Sequence, residues 1–288
     1  MLLNVIEAGE GDRVAVLLHG MMGSAESWHR VVPLLVERGF RVLALDLPGH
    51  GLSPRDPALT IETAADAVIE TLAQCLSSPN RPAGTRVLGP TADAGPVPDP
   101  NPIPAAAADT PRDRAATGRH RPAPLLTVAV GHSFGATVLA AAAPRLNPAL
   151  AVYVDAPLSL QGGHDRAVLV SQYERDRRAR MSPSELRRLR PFYSVDDATV
   201  EARAAERFDP PTAASVSCGA DGHWAAAPGS IVVRAEPSAW VTDEDARRFE
   251  HDGVRVRSIP GAAHTVWYSH FEVFTAALPE VFAEASTA

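Results

Sequence analysis

The chain has 288 residues, 45% of them apolar, with a formal charge of −7 and 26 prolines. That length can bury one substantial core with room for a satellite, the acidic balance argues against a nucleic-acid surface, and no apolar run is long enough to cross a bilayer. Cys75 and Cys218 stand far apart in no metal-ligand spacing, and Met1 to Asp12 lacks the basic region and long apolar core of a signal peptide, so a cytoplasmic protein without bound metal or cofactor is expected.

Val5 to Ala8 reads as a short edge strand, closed by turn residues Gly9 to Asp12. Val14 to Leu18 is continuously apolar, as a strand covered on both faces should be. It runs into His19-Gly-Met-Met-Gly23, and Ser24 then caps a helix predicted to reach Glu37 and to stop at Gly39. Arg41 to Leu45 is the next strand, followed by the loop Asp46-Leu-Pro-Gly-His-Gly-Leu-Ser53. Ile61, Ala65, Val68, Ile69, Leu72 and Leu76 recur at helical spacing, which places a helix over Thr60 to Leu76. Strands alternating with helices in this way predict an α/β fold with a mostly parallel sheet and right-handed crossovers.

From 77 to 124 the grammar changes. Arg86 to Leu88 hints at a strand, but prolines such as Pro96, Pro98, Pro100, Pro102 and Pro104 cannot donate to a sheet and favour extended backbone. With few large apolar groups, the segment cannot repay its ordering entropy, and a mostly disordered surface insertion is expected.

The core resumes at Leu125-Leu-Thr-Val-Ala-Val-Gly-His-Ser-Phe-Gly135, a strand ending in Gly-x-Ser-x-Gly, with a helix predicted over Ala136 to Ala143 and stopped by Pro144. Leu150 to Val154 is another buried strand, ending at Asp155-Ala-Pro157. Gly163 to Met181 reads as helical and carries Arg175, Arg177, Arg178 and Arg180. Ser182 with Pro183 and Glu185 starts a second helix to about Arg190, and Asp196 or Asp197 a third to about Phe208. Such a stretch, 156–215, is read as a small helical lid on a core made of 1–155 and 216–288. Its arginines form either a solvated face or a site for an anionic substrate. Ser230 to Arg234 returns to the sheet, a helix over Asp243 to Glu250 follows Thr242, and Gly253 to Ile259 is a last strand. Pro260 to His264 is a loop, and a closing helix is predicted from Tyr268 to Glu284.

In an open parallel sheet the chemistry gathers beyond the carboxyl ends of the strands. There the sequence places His19-Gly20, Asp46, Ser133, Asp155 and His264. A strand–Gly-x-Ser-x-Gly–helix stretch is a nucleophile elbow: a turn so sharp that the serine is exposed, with the next N–H, that of Phe134, free at a helix start. A serine hydroxyl needs an adjacent base, and the base needs a carboxylate to fix its tautomer. His264, just after a strand and late in the chain, is the best-placed base. His132 is locked beside the serine and points away.

The stretches Leu18 to Gly23, Asp46 to Ser53, Gly131 to Gly135 and Gly261 to His264 resemble the α/β-hydrolase superfamily, in its lidded serine esterase, haloperoxidase-like and C–C hydrolase branch. The resemblance runs from Val14 to the end, apart from 77–124. It implies an α/β-hydrolase fold, a mostly parallel sheet with helices on both faces and a small helical lid. It also implies that Ser133 attacks a carbonyl carbon, that His264 takes its proton, and that the N–H groups of Phe134 and Met21 hold the oxyanion. Asp46 resembles the structural aspartate of that family. An aspartate where Ser133 stands would mark epoxide or haloalkane hydrolysis, which is disfavoured.

The acid departs from the pattern. The usual loop reads Ala235-Glu-Pro-Ser-Ala-Trp240, with Ser238 at the matching position. Some members draw the acid from the end of the strand after the nucleophile helix, here Asp155. Asp155 is favoured, Glu236 is the alternative, and a displaced or absent acid stays open. Met21, Met22, Trp28, Phe134 and Trp267 are candidates for an apolar pocket, with Tyr173 and Phe192 closing over it. The expected activity is hydrolysis of a small apolar carboxylic ester or lactone by water through an acyl-serine. C–C bond hydrolysis, acyl transfer and a non-catalytic binding protein are the alternatives. Oligomeric state and the exact substrate are not legible.

Overall fold

Val5–Ala8 (β1) and Arg13–Leu18 (β2) begin a sheet whose two faces are both covered. Alternation shows this directly: Val14, Val16 and Leu18 enter one apolar layer, Ala15 and Leu17 the other. The computed structural model describes residues 1–77, 86–88 and 125–283, so most of the expected 77–124 insertion lies outside the described residues. The sheet and its helices belong to one unit, Met1–Pro90 with Pro124–Ala288.

After β2 come a single 3₁₀ turn, Ala25–Trp28, and Val31–Glu37 (α1), so the helix expected from Ser24 is broken in two. The Asp46 carboxylate draws the first turn aside by accepting the Ala25 N–H at 2.7 Å. Phe40–Leu45 (β3) and Ile61–Ser77 (α2) follow, then Arg86–Leu88 (β4). Leu125–His132 (β5), Phe134–Leu146 (α3) and Leu150–Val154 (β6) form the centre. Pro144 does not stop α3. It lies in the last turn, and the helix ends instead at Asn147, whose φ of 45° is left-handed.

Ser159–Leu160 (β7) then leads to Arg166–Arg180 (α4), Pro183–Leu189 (α5), Val195–Arg207 (α6) and Pro210–Val216 (α7), and Gly222–His223 (β8) pairs antiparallel with β7. The sheet is completed by Ile231–Glu236 (β9), Asp243–His251 (α8) and Arg255–Pro260 (β10). Val266–Ser269 (α9), Phe271–Ala276 (α10) and Pro279–Phe282 (α11) stand where one closing helix was predicted. His270 and Leu278 leave helical geometry at the two breaks, the second because the residue before a proline disfavours it.

Among the described residues the sheet order is β4-β1-β3-β2-β5-β6-β9-β10. β1 is antiparallel to β3 and β4, and the other pairings are parallel. Val5–Ala8 is therefore not the edge: Arg86–Leu88 pairs on its outer side. Residues of α2, α3 and α8 pack on one face, and those of α1 and α9 to α11 on the other. The architecture is a mostly parallel α/β sheet with helices on both faces, and α4 to α7 are inserted between β6 and β9 as a helical lid. Among the described residues no helix is long and apolar enough to cross a membrane.

Candidate active site

Ser133 sits at the turn from β5 into α3 with φ 50° and ψ −119°, a region that non-glycine residues rarely occupy. Its own N–H is bonded to the Val154 carbonyl of β6 at 2.9 Å, which holds the turn against the neighbouring strand. The flanking glycines are needed for space: a Cβ on Gly131 would meet the Gly135 carbonyl oxygen at 2.5 Å, and one on Gly135 would meet the His19 carbonyl oxygen at 2.4 Å. Phe134 is the first residue of α3, so its N–H has no preceding helical turn to bond.

Asp155 lies one residue beyond β6, again with positive φ (49°), and is 1% exposed. Its N–H donates to Val233 of β9 at 2.7 Å, and its Oδ1 accepts the Ala235 N–H at 3.1 Å. The other oxygen, Oδ2, is 2.7 Å from His264 Nδ1. The pair spans from β6 past β9 to the loop after β10. Two strand spacings amount to about 10 Å, a gap that a turned-out aspartate and an imidazole can close together. Glu236 is elsewhere: its side chain is 44% exposed and pairs with Arg234 at 3.1 Å.

His132 reinforces His264. Its Nε2 lies 3.0 Å from the His264 carbonyl oxygen, their rings are 4.6 Å apart, and Trp267 packs edge-on at 4.8 Å. Burial, then the nearby His264, push the His132 imidazole well below its usual pKa, so it is neutral and donates through Nε2. The glycine at position 20 is required here, because a Cβ there would lie 2.5 Å from the His132 ring.

The loop after β2 turns through Met21 and Met22, closed by Gly23 N–H to the Gly20 carbonyl at 3.0 Å, with Met22 at φ 63°. The Met21 N–H takes no part in that turn bond. His19 anchors the loop: Nε2 accepts the Leu47 N–H at 2.9 Å, which leaves the proton on Nδ1 to donate to Gly20 O at 2.8 Å. Asp46 is a structural hub, accepting from Asn4 Nδ2, Ala25 N and Leu52 N.

Burial lowers the His19 pKa to about 4, and burial with the adjacent His19 lowers that of His50 to about 3. An unfolded histidine binds its proton near pH 6.5, whereas these two bind theirs only well below that. The stability they contribute is whole above pH 6.5 and is lost as the pH falls towards 4. Urea denaturation from pH 7 to 4.5 should show a loss on the order of 3 kcal/mol from His19 alone. A His19→Asn variant should flatten that slope, and a wild-type stability that does not change across the range would overturn the reading.

A cavity of about 550 Å³ opens over these groups; Ser133, His264, Met21, Met22, Phe134 and Trp267 line it. Tyr173 closes it from the lid, as expected from the sequence. Two expected wall residues are elsewhere. Trp28 is fully buried in the core, stacked 4.3 Å beneath Trp267, and Phe192 is 38% exposed beside Tyr193. Trp240, Arg180, Arg190 and Glu201 also line the cavity and were not singled out as pocket residues from the sequence. For Arg180 a signal did exist: it lies seven residues after Tyr173, on the same face of α4. Arg177 and Arg178 turn the other way, onto Glu174. Among the described residues no group of acidic, histidine and cysteine side chains could hold a metal ion.

Known proteins resemble this chain to different extents. An sn-1-specific diacylglycerol lipase of Danio rerio is 40% identical over 68 residues, 23% of this chain and 22% of that protein. A pimeloyl-[acyl-carrier protein] methyl ester esterase of Sodalis glossinidius is 48% identical over 60 residues, 21% of this chain and 23% of that one. The chain thus matches less than a quarter of the length of these curated relatives. A solved esterase from a marine microorganism superposes with a TM-score of 0.61 at 15% identity, over 98% of this chain and 99% of that one, a likeness of fold. Other solved chains of this fold include a deformylase from Pseudomonas putida at 16% identity and a thioesterase domain at 15%. The match to the alpha/beta hydrolase family runs over residues 15–277, and the chain belongs to that family.

Proposed function

We propose that the protein is a serine hydrolase that cleaves a carboxylic ester or lactone through an acyl-enzyme. The observation that carries this reading is the 2.7 Å His264–Asp155 bond, with His264 and Ser133 both on the wall of one cavity. With Nδ1–H held by Asp155, His264 keeps its lone pair on Nε2. Ser133 Oγ attacks the substrate carbonyl carbon as Nε2 takes the hydroxyl proton. The electron pair moves to the carbonyl oxygen, where the N–H groups of Phe134 and Met21 receive it. Such a donor is typically worth about 3–4 kcal/mol in the transition state. Collapse expels the alcohol, which leaves with the proton from Nε2. Water, deprotonated by the same nitrogen, then releases the acid and restores Ser133. The lid helices α4 to α7 keep bulk water from the cavity during the first half.

The curated relatives matched over short stretches include a lipase and a methyl ester esterase, in keeping with ester chemistry, but also epoxide hydrolases and a 2-hydroxy-6-oxononadienedioate hydrolase. A fluorophosphonate probe tests the reading: stoichiometric labelling of the folded protein, together with turnover of short acyl esters, is the expected result. Absence of both in a folded sample would leave only a binding protein on this scaffold.

A further inference from the structure

The cavity is not apolar throughout. At its lid side Glu201, buried on α6, accepts hydrogen bonds from Ser27 Oγ at 2.7 Å and from Arg180 at 2.9 Å. The Tyr268 hydroxyl shares its proton between the same carboxylate, at 3.0 Å, and the Ser27 carbonyl, at 2.9 Å. Glu201 is therefore satisfied and its charge is matched by Arg180. What is left over is positive. Arg180 has a second donor, Nε, that is buried and has no hydrogen-bond partner among the described residues. Arg190 lines the same cavity, and its side-chain hydrogen bond among the described residues goes to a neutral group, the Tyr193 hydroxyl at 3.0 Å. The other acid on the cavity wall, Asp176, is exposed on α4, where solvent and salt screen it.

A buried guanidinium donor without an acceptor is costly, and Arg190, half-buried on the same wall, forms no ion pair among the described residues. Planar guanidinium groups match carboxylate oxygens in direction and charge, and they do so most strongly where water is excluded. Serine, imidazole and oxyanion donors lie in the same cavity, so one molecule of modest size can touch both regions. The Arg180 charge is felt as far as His132, whose pKa it helps to depress.

We infer that the Arg180–Arg190 end of the cavity is a subsite for a carboxylate carried by the substrate, so that the preferred esters are half-esters of dicarboxylic acids or similarly anionic acyl compounds. This rests on the esterase reading for its kinetic arm but not for its binding arm. The kinetic arm compares p-nitrophenyl hemiesters of four- to eight-carbon dicarboxylic acids with p-nitrophenyl esters of monocarboxylic acids of equal chain length. The anionic member of one pair should be favoured in kcat/KM by about tenfold or more. Arg190→Gln should remove that preference, whereas Arg187→Gln, on an exposed helix face, should keep it.

The binding arm titrates monoamides and diamides of the same acids into wild-type and Arg190→Gln protein. Saturable binding of the monoamide anion, with a weaker neutral diamide and a loss in Arg190→Gln, supports the subsite even if no ester is turned over, in which case only the esterase reading fails. Turnover of neutral esters with equal or better kcat/KM than their anionic partners, and no selective binding of the anions, overturns the inference and leaves the esterase reading intact. Arg180→Gln also strips Glu201 of its partner and can loosen the lid, so the decision rests on Arg190→Gln.

Discussion

Ser133→Ala is expected to lower kcat by about 10⁶ for any ester that the wild-type protein turns over, and to abolish labelling by a fluorophosphonate. The substitution removes one oxygen and little else. Ser133 makes no side-chain capping bond to α3, and alanine carries the same Cβ into the same positive-φ turn, so the backbone strain is unchanged. Stability by urea denaturation should therefore match the wild type within about 0.5 kcal/mol. Some acceleration over water should survive, because the Phe134 and Met21 donors and the cavity remain. A variant that kept more than a few per cent of wild-type kcat would sink the acyl-serine mechanism.

Asp155→Asn should cost about 10⁴ in kcat with little change in KM. Both oxygens of Asp155 accept: one from Ala235 N–H, the other from His264 Nδ1. An asparagine that keeps its oxygen on Ala235 turns an NH₂ towards His264. Nδ1 must then accept, and the proton moves to Nε2, where it blocks the attack on the serine proton. Glu236→Gln should leave turnover near wild type, because Glu236 pairs with Arg234 on the surface side of β9. Steady-state kinetics on the two variants decides between the acids. Unchanged turnover in Asp155→Asn, or a collapse in Glu236→Gln, would reverse the assignment.

The sheet was legible from continuous apolar runs and from the turn residues between them, because a strand buried on both faces leaves little room for polar groups. The residues at the strand ends were legible for a related reason: Ser133 and Asp155 follow directly on such runs, His264 stands four residues after the more polar β10, and strand direction places all three on one edge. What could not be read depends on faces and partners. Trp28 and Trp267 are the same residue type with the same apparent fitness for a pocket wall. Both are buried in the core, stacked on each other, and it is Trp267 that also borders the cavity, a difference no local pattern records. The lid arginines divide in the same way, Arg178 outward onto Glu174 and Arg180 inward onto Glu201. The partner that sorts them, Glu201, lies on another helix. The break at His270 has no marker in the sequence, while the one before Pro279 carried a readable signal.

The hydrogen bonds that hold the site join residues far apart in the chain, 109 positions for Asp155 to His264 and 132 for His132 to His264. None can form until β5, β6, β9 and β10 lie side by side, so each must wait for a long stretch of chain to be brought together. A partly assembled chain has a serine, an imidazole and a carboxylate but no relation among them. Recovered activity therefore serves as a readout of that assembly, and a nascent chain stays chemically silent until its closing segment has emerged.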